Sequence, residues 1–319
     1  MKTYFIINSA AGQGKGLKDL ELNIIDAVQT LEADADVYYT KASGDAEKFV
    51  KSICIENPDT RFIACGGDGT LSEVLNGAAR FKEAQIGVVP IGTGNDFCRN
   101  FNPDADFFDI KAQLNGDVVS CDAIKYTSVI EGKQKSGYCA NMFNIGFDCN
   151  VADMTATMKK KPFISGSFAY YISILVNLIK KKGAKIEIKM DGKLIHSGKL
   201  LLTSIANGCY CGGGIKSNPL ASLQDGFINV NIVKDVSRLK FLKLLPHYMK
   251  GDFLSLKNIE KIVVSPKCKN LVVTPFKNKL KLCIDGEITE VSKVEFEIVP
   301  SAFNFVVPVR QAKKFAFQN

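Results

Sequence analysis

The chain has 319 residues, of which 46% are hydrophobic, and it carries a formal net charge of +8. This size and composition exclude a disordered chain and a small fold that depends on disulfides, and they allow about two domains of ~150 residues. The ten cysteines and two histidines contain no C-x-x-C pair and no His-x-x-x-His pair, which argues against zinc and redox motifs and favours reduced thiols in a cytosolic protein.

The first 122 residues alternate strands and helices. The first predicted strand, residues 3–8, lacks the features of a secretory signal peptide and leads into a loop of small residues. Apolar residues at helical spacing predict a helix over 17–31. Alternation of this kind predicts a Rossmann-like α/β domain with a parallel sheet and with ligands at the carboxyl ends of the strands. The other predicted elements are strands at 35–40, 61–65 and 86–92 and helices at 45–56 and 71–81.

Short β-rich runs dominate the second predicted domain, residues 123–304. This pattern predicts a mostly antiparallel β-sandwich with one helical insertion at about 153–182. Residues 305–319 are a candidate to complete the first domain. Favoured Asp-Gly turns punctuate the runs at 191–192, 225–226 and 285–286.

The helical insertion contains the longest apolar run of the chain, residues 168–179, flanked by the lysine triplets 159–161 and 180–182. The run is too short to cross a membrane, which takes ~20 residues. A buried or amphipathic helix is the favoured interpretation, and contact with a membrane surface is the alternative.

The strongest motif is GGDGT at 66–70, which follows a predicted buried strand and opens a helix. In this context a helix N-terminus and its N–H groups bind phosphate, and glycines let the backbone approach the anion. Asp68 would repel a phosphate unless a cation lies between them, which points to Mg²⁺. Thr70 and Glu73 have the spacing of a capping box. A plain Gly-rich turn is the alternative for this motif taken by itself.

A second loop with the same residue types, PIGTGND at 90–96, ends the next predicted strand. Because the carboxyl ends of neighbouring parallel strands meet at one edge of a sheet, both loops are expected to line one crevice with residues 8–12 and Thr40. The G-x-x-x-x-G-K-[ST] P-loop and the dinucleotide-binding G-x-G-x-x-G are both absent.

The set of motifs resembles the catalytic domain of diacylglycerol kinases and their sphingosine kinase and YegS-like relatives. NAD kinases and phosphofructokinases share the GGDG element, but the GTGND run and the distal DGE favour the lipid kinases. One departure is Ser-Ala-Ala at 9–11, where relatives usually carry a proline after the asparagine. The resemblance covers nearly the whole chain and rests on residues 8–12, 66–70, 92–96, Asp122, 143–148, 206–230 and 284–287.

The resemblance implies ATP as co-substrate, a catalytic Mg²⁺, a structural Mg²⁺ and a carboxylate base. The implied nucleotide-binding residues are Asn8, Ser9, Ala10, Ala11, Gly12, Thr40, Gly66, Gly67, Asp68, Gly69, Thr70, Leu71, Ser72, Thr93 and Asn95. The implied ligands of the catalytic Mg²⁺, directly or through waters, are Asp68, Asp96 and Asp122. The implied ligands of the structural Mg²⁺ are Asp225 and the backbone carbonyls of Ser222 and Phe227.

The base is implied to be Asp285 or Glu287 of the DGE motif. A carboxylate base is also favoured because neither His196 nor His247 lies near a motif. Asp285 and Glu287 are two residues apart, so strand alternation predicts that they point the same way. A simple Asp-Gly hairpin turn is the alternative for Asp285.

The leading function hypothesis is ATP- and Mg²⁺-dependent phosphorylation of the hydroxyl of a diacylglycerol-like lipid, at a site between the two domains. The enzyme is expected in the cytoplasm, peripheral to the inner face of the membrane, with nucleotide and lipid as partners and a homodimer left open. The alternatives are a kinase of another substrate class (NAD or sugar) and a non-catalytic nucleotide-binding regulator. Nucleic-acid binding rests on charge alone and ranks last.

Overall fold

A computed structural model describes residues 1–14, 16–130, 132–147, 149–151, 154 and 183–308. The apolar run and nearly all of the predicted helical insertion lie outside the described residues, as do residues 309–319. The chain divides into two compact units: unit 1 is Met1–Ala123, Leu223–Asp225 and Val299–Asn319, and unit 2 is Ile124–Ser222 and Gly226–Ile298.

Within the described ranges the elements follow in chain order. The strands are β1 (Lys2–Ile7), β2 (Ala35–Tyr39), β3 (Thr60–Gly66), β4 (Gln85–Pro90), β5 (Asp117–Ile130), β6 (Lys133–Cys139), β7 (Met142–Gly146), β8 (Ala184–Met190), β9 (Lys193–Ala206), β10 (Ile228–Lys234), β11 (Val263–Val264), β12 (Lys267–Cys268), β13 (Asn270–Pro275), β14 (Leu280–Ile284), β15 (Glu287–Val291) and β16 (Val294–Val307). The α-helices are α1 (Leu17–Leu31), α2 (Asp45–Glu56), α3 (Asp68–Ala78), α4 (Ile110–Asn115) and α5 (Arg238–Lys250). None of these helices is long and apolar enough to cross a membrane.

Unit 1 is built on a parallel sheet in the strand order β2–β1–β3–β4, and the end of β16 pairs parallel with β4. Every residue of β3 is buried, as expected for a central parallel strand that is covered on both faces. On α1, Leu20, Ile24 and Ala27 recur at helical spacing and join the same apolar cluster as residues of β1 and β3. The predicted α/β fold of the first domain is confirmed.

Unit 2 is mostly antiparallel. Its strands follow the order β15–β14–β7–β9–β8–β13–β16, and β10 pairs with β9, β11 and β12. The long strand β9 pairs with β7, β8 and β10 along its length, so it organises the unit. The predicted antiparallel fold is confirmed.

Two of the predicted Asp-Gly turns are tight hairpins. Asp191 and Gly192 join β8 to β9 with φ of 46° and 80°, and Asp285 and Gly286 join β14 to β15 with φ of 44° and 95°. Positive φ at both central residues is the type I′ geometry that matches strand twist. Asp285 therefore lies in a turn and not in a strand. The sequence-based prediction that strand alternation points Asp285 and Glu287 the same way does not apply to a residue in this position.

Helix α5 is an element that the sequence interpretation missed, since it placed only one helical segment in the second domain. The Ser237 side chain accepts a hydrogen bond from the Lys240 N–H, and Gly251 ends the helix in the left-handed conformation, φ 83°. Pro246 lies inside the helix, and a proline there argues against a helix from sequence. The apolar residues that pack the helix are Phe241, Leu244 and Tyr248.

The predicted capping box at Thr70 and Glu73 is wrong. Helix α3 begins at Asp68 after Gly67, so Thr70 is already inside its first turn. The Glu73 carboxylate instead accepts hydrogen bonds from the N–H groups of Gly44, at 2.8 Å, and Ala46, at 3.1 Å. Glu73 therefore caps the start of α2, a neighbouring helix, and holds α2 against α3.

Replacement of Glu73 by alanine is expected to lower the free energy of unfolding by about 1–2 kcal/mol, because two N–H groups at the start of α2 lose their acceptor. The control is Glu83→Ala, since Glu83 is an exposed acid before β4, and a change within about 0.5 kcal/mol is expected there. Urea unfolding measures both variants. Equal stability of the two would contradict the capping role.

Candidate functional site

The loops after β1 and β3 are tied together by Asn8. Its N–H donates to the carbonyl of Cys65 at 3.0 Å, and its Nδ2 donates to Thr70 Oγ1 at 3.2 Å. Its own Oδ1 accepts the N–H of Ala10 at 3.0 Å, which bends the loop after β1. Asn8 thus connects the end of β1 with the first turn of α3.

Glycines allow the three loops of this edge to pack against one another. A Cβ added to Gly92 would lie 2.3 Å from the Cα of Gly67, and one added to Gly12 would lie 2.6 Å from the carbonyl oxygen of Ile91. The N–H of Gly92 also donates to the carbonyl of Gly66 at 3.2 Å. The sequence suggested glycines for approach to an anion, and the structure adds a second reason, which is contact between the loops.

The first turn of α3 presents the N–H groups of residues 68–70 at the end of this glycine loop. The N–H groups of a first helical turn have no partner inside the helix and carry the positive end of the helix dipole. An anion such as phosphate is stabilised at this position.

Asp68 shapes the loop that follows β4. Its Oδ1 accepts the N–H groups of Asp96, at 2.9 Å, and Phe97, at 3.2 Å. Burial raises the pKa of Asp68 above its ordinary value, while hydrogen bonds from the backbone of Phe97, Asp96 and Asn95 act in the opposite direction. Asp68 therefore holds the GTGND loop onto the start of α3.

A second oxygen of Asp68 faces Asp96 across Gly94. A Cβ added to Gly94 would lie 2.8 Å from Asp68 Oδ2 and 3.4 Å from Asp96 Oδ2. Mg²⁺ in proteins is commonly held by one or two carboxylates, with waters and substrate phosphates completing its six ligands. These two oxygens, beside the N-terminus of α3, have the chemistry that such an ion requires.

Asn95 adds a buried acceptor beside the same glycines. Its backbone is left-handed, φ 54°, and its Nδ2 donates to the carbonyls of Pro90 at 2.7 Å and Gly92 at 2.9 Å. Its Oδ1 is buried and has no hydrogen-bond donor among the described residues. A buried amide oxygen without a donor is costly, so a ligand or a water is needed there.

Asp122 has contacts of a different kind. It is 3% exposed, its Oδ1 accepts the N–H of Ser301 at 2.8 Å, and its own N–H donates to the carbonyl of Leu223 at 2.7 Å. It thus joins three distant segments of unit 1. Within the described ranges no group of three or more His, Cys, Asp or Glu side chains is spaced to hold a metal ion. Asp68, Asp96 and Asp122 as ligands of a catalytic Mg²⁺, directly or through waters, stay a prediction.

The other predicted nucleotide-binding residues differ in exposure. Ser9, Ala10 and Thr93 are exposed, and Thr40, which follows β2, is half-buried. The side chain of Leu71 is only 4% exposed, and its N–H donates to the carbonyl of Gly67 at 3.1 Å. Half-buried positions are also found at Ala11, Gly12, Gly69 and Ser72.

In unit 2, Asp285 is held by two donors to the same oxygen. Its Oδ1 accepts the N–H of Met142 at 3.1 Å and the thiol of Cys139 at 3.2 Å, and its own N–H donates to the carbonyl of Met142. Burial, the nearby charge of Asp285 and the hydrogen bond to it raise the pKa of the Cys139 thiol well above its ordinary value. Cys139 therefore stays protonated and acts as a donor. Glu287, the first residue of β15, is exposed.

Cys139 and Met142 were missed by the sequence interpretation. Cys139 is 146 residues from Asp285 along the chain, and no motif spacing connects them. The contact arises because β14 pairs with β7, which begins at Met142.

The turn predicted to hold a structural metal is formed of residues 222–227. Gly226 is left-handed, φ 70°, and the Lys269 ammonium lies 5.7 Å from the ring centroid of Phe227. Asp225 provides the turn's carboxylate. A metal held by this carboxylate and the carbonyls of Ser222 and Phe227 stays a prediction.

Comparison with known proteins identifies both parts of the chain. Residues 2–126 match the family model of the diacylglycerol kinase catalytic domain, and residues 141–307 match that of the YegS C-terminal NAD kinase beta sandwich-like domain. The chain is 28% identical to a diacylglycerol kinase of Bacillus subtilis over 88% of each chain. It is 30% identical to a diacylglycerol kinase of Staphylococcus carnosus over 80% of this chain and 78% of that relative.

The fold is shared with solved structures. A putative diacylglycerol kinase from Bacillus anthracis superposes with a TM-score of 0.73 at 23% identity, over 96% of this chain and 97% of that one. A second diacylglycerol kinase structure from the same organism gives a TM-score of 0.68 at 22% identity, over 96% of each chain. The α/β domain followed by a β-sandwich domain is thus the fold of these proteins. By its family matches and by its identity to curated relatives, the chain belongs to the diacylglycerol kinase family and is a lipid kinase.

Proposed function

We propose that the protein transfers the γ-phosphoryl group of ATP to the hydroxyl of a diacylglycerol-like lipid in a Mg²⁺-dependent reaction. The observation that carries this proposal is the convergence of Asp68 Oδ2 and Asp96 Oδ2 beside Gly94, at the N-terminus of α3. Positive helix ends bind phosphate, and paired carboxylates bind the cation that accompanies it.

The loops of unit 1 are proposed to bind the nucleotide phosphates. The N–H groups of residues 68–70 would donate to phosphate oxygens, and the Asn95 Oδ1 would accept from the nucleotide or from an ordered water. Asn8 and the glycines fix the loops before ATP arrives, which reduces the ordering that binding requires.

Mg²⁺ bound by Asp68 and Asp96, with Asp122 acting through waters, would offset the negative charge that the phosphates bring to the site. A second Mg²⁺ at Ser222, Asp225 and Phe227 is proposed to stabilise the turn in which these residues lie.

Asp285 is the preferred base for the lipid hydroxyl. Its carboxylate is oriented by two donors, whereas Glu287 is exposed at the start of β15. An oriented acceptor takes the hydroxyl proton with less reorganisation than a mobile one. That the base and the phosphate site meet between the domains 1–122 and 123–304 stays a prediction, as does completion of the first domain by residues 305–319.

The cellular setting is proposed from the substrate. A lipid acceptor requires work at a membrane surface, so the enzyme is proposed to be cytoplasmic and peripheral to the inner face of the membrane. Its diacylglycerol kinase relatives favour a lipid over NAD or a sugar as acceptor, and the carboxylates at both sites favour catalysis over a purely regulatory role. A homodimer is left open.

The function is tested by incubation of a total lipid extract with the protein, ATP and Mg²⁺, followed by identification of the product by mass spectrometry. A phosphorylated diacylglycerol-like lipid is expected, with no product when the metal is chelated. Phosphorylation of NAD or a sugar without lipid would support a kinase of another class, and nucleotide binding without any product would support a regulator.

Replacement of Gly92 by alanine is expected to weaken ATP binding at least about tenfold, because the new Cβ would lie 2.3 Å from the Cα of Gly67 and would force the loops apart. The control is Gly132→Ala. Gly132 has φ 77° and open space around it, so this change strains the backbone of a turn in unit 2 and should leave ATP affinity unchanged. Calorimetric titration with ATP measures both. Normal ATP affinity in Gly92→Ala would show that the contact between the two loops is not required for ATP binding.

Replacement of Asp285 by asparagine is expected to reduce kcat by at least ~10²-fold at near-normal ATP affinity, because the base is lost. Asparagine tolerates the left-handed backbone at this position, so the turn is retained. The matched variant is Glu287→Gln, for which a smaller loss is expected. Steady-state kinetics at saturating ATP measure kcat for both variants. A near-normal kcat in Asp285→Asn together with a large loss in Glu287→Gln would assign the base to Glu287.

Replacement of Cys139 by alanine is expected to lower kcat about three- to tenfold with little change in KM for ATP, because Asp285 Oδ1 loses the thiol donor and keeps the N–H of Met142. Cys139→Ser keeps a donor at this position and should recover most of the activity. The comparison is made with Cys283→Ala, the replacement of another buried cysteine. Equal losses in all three variants would indicate a packing effect and not an orienting hydrogen bond.

A further inference from the structure

Helix α5 has an exposed face that is both apolar and basic. Leu239 is 73% exposed and Leu242 is 46% exposed, whereas other apolar side chains of the same helix are buried in an apolar cluster of unit 2. Lys243 is exposed on the same side of the helix, and Lys240 is exposed beside it. We call this surface the outer face of α5 and define it by Leu239, Lys240, Leu242, Lys243 and Lys250.

The inner face of α5 fixes this surface in place. Phe241, Leu244 and Tyr248 are buried at i, i+3 and i+7 and join one apolar cluster of unit 2. The ring of Phe241 packs edge-on against Phe147 with centroids 4.8 Å apart. Because the helix is held by these contacts, it cannot rotate to bury its exposed leucines.

The charges of α5 are all of one sign. Its sequence, RLKFLKLLPHYMK, contains no aspartate or glutamate. Its first turn carries basic residues, where the helix dipole favours acidic ones, so helix stability does not explain them. Of the flanking acids, Asp235 is 2.9 Å from the ammonium of Lys199, and Asp252 is 2.9 Å from Nδ1 of His247, which lies near the C-terminal end of α5.

We propose that the outer face of α5 docks on the surface of an anionic lipid bilayer. Basic side chains pair with anionic headgroups, and exposed leucines enter the boundary between headgroups and acyl chains. The two leucines favour a bilayer over a nucleic acid, because phosphate contacts alone leave them without a role. The proposal deepens the proposed function in that it names a surface by which a lipid kinase reaches its membrane-bound acceptor.

The test is sedimentation of the full chain with phosphatidylcholine vesicles, prepared with and without phosphatidylglycerol, at low and at high salt. The charge variant is Lys240→Glu/Lys243→Glu. Lys240 lies in the first turn of α5, where the helix dipole favours an acid, and glutamate has a helix propensity similar to that of lysine at position 243. Its control is Lys133→Glu/Lys135→Glu, an equal charge change on two exposed lysines of β6. The apolar variant is Leu239→Gln, and its control is Leu194→Gln, at a leucine that is 56% exposed on β9.

The charge variant is expected to lower partition onto phosphatidylglycerol-containing vesicles at least about tenfold. Leu239→Gln is expected to lower it about three- to tenfold and to remove the part of the binding that resists salt. The controls should bind within about threefold of the wild type. Equal losses in the charge variant and its control would overturn the proposal, since net charge alone would then explain binding. A loss confined to the charge variant, together with equally strong binding of wild type to RNA, would also overturn it in favour of a general polyanion surface.

A separate assay distinguishes docking from catalysis. Turnover of a short-chain, water-soluble diacylglycerol needs no membrane, so the α5 variants should match the wild type in it. If the wild type binds anionic vesicles through α5 but does not turn over this substrate, the proposed function fails and the docking surface stands. If turnover is normal and the α5 variants bind vesicles like the wild type, the docking proposal fails alone.

Discussion

The contact of Gly92 with Gly67 is the constraint on which the edge of unit 1 proposed to bind phosphate depends. The two Cα atoms are close enough that a single added Cβ would lie 2.3 Å from the opposite backbone. The approach excludes a Cβ on Gly92 and leaves one on Gly67 in tight contact, 3.3 Å from the Cα of Gly92, and it brings the loop after β4 against the start of α3. Asp68 can then accept the N–H groups of Asp96 and Phe97, which determines where both carboxylates lie.

Asp68 combines two functions that usually fall to different residues. One of its oxygens stabilises the loop after β4, and the other faces Asp96 across Gly94. Burial raises the pKa of Asp68 in spite of the hydrogen bonds from the backbone of Phe97, Asp96 and Asn95, so the charged form is less stable here than in water. A site of this kind is folded before metal arrives and gains electrostatic stability when metal binds.

Turns and loops that depend on a few adjacent residues were predictable from the sequence, and contacts between residues far apart in the chain were not. The Asp-Gly hairpins and the glycine loops follow from a few adjacent residues, and the structure has them where the sequence indicated. The partner of Glu73 was mistaken because the capping-box rule considers only its own helix, whereas the N–H of Gly44 lies 29 residues earlier. The thiol of Cys139 beside Asp285 was missed because the contact depends on strand pairing between distant parts of the chain. Helix α5 was missed because Pro246 argues against a helix in the sequence, whereas the packing of its apolar residues stabilises the helix.

The turn that carries Asp285 limits which residue evolution can place there. At φ 44° a side chain that branches or lengthens at Cβ is disfavoured, and aspartate, asparagine and glycine are the residues that accept this backbone most readily. Of these three, only aspartate is a base. Replacement by glutamate would keep the charge but add a methylene, which would displace the carboxylate from the N–H of Met142 and the thiol of Cys139. In the proposed role of Asp285 as base, the backbone of the hairpin and the donors from Met142 and Cys139 therefore favour the same residue, aspartate.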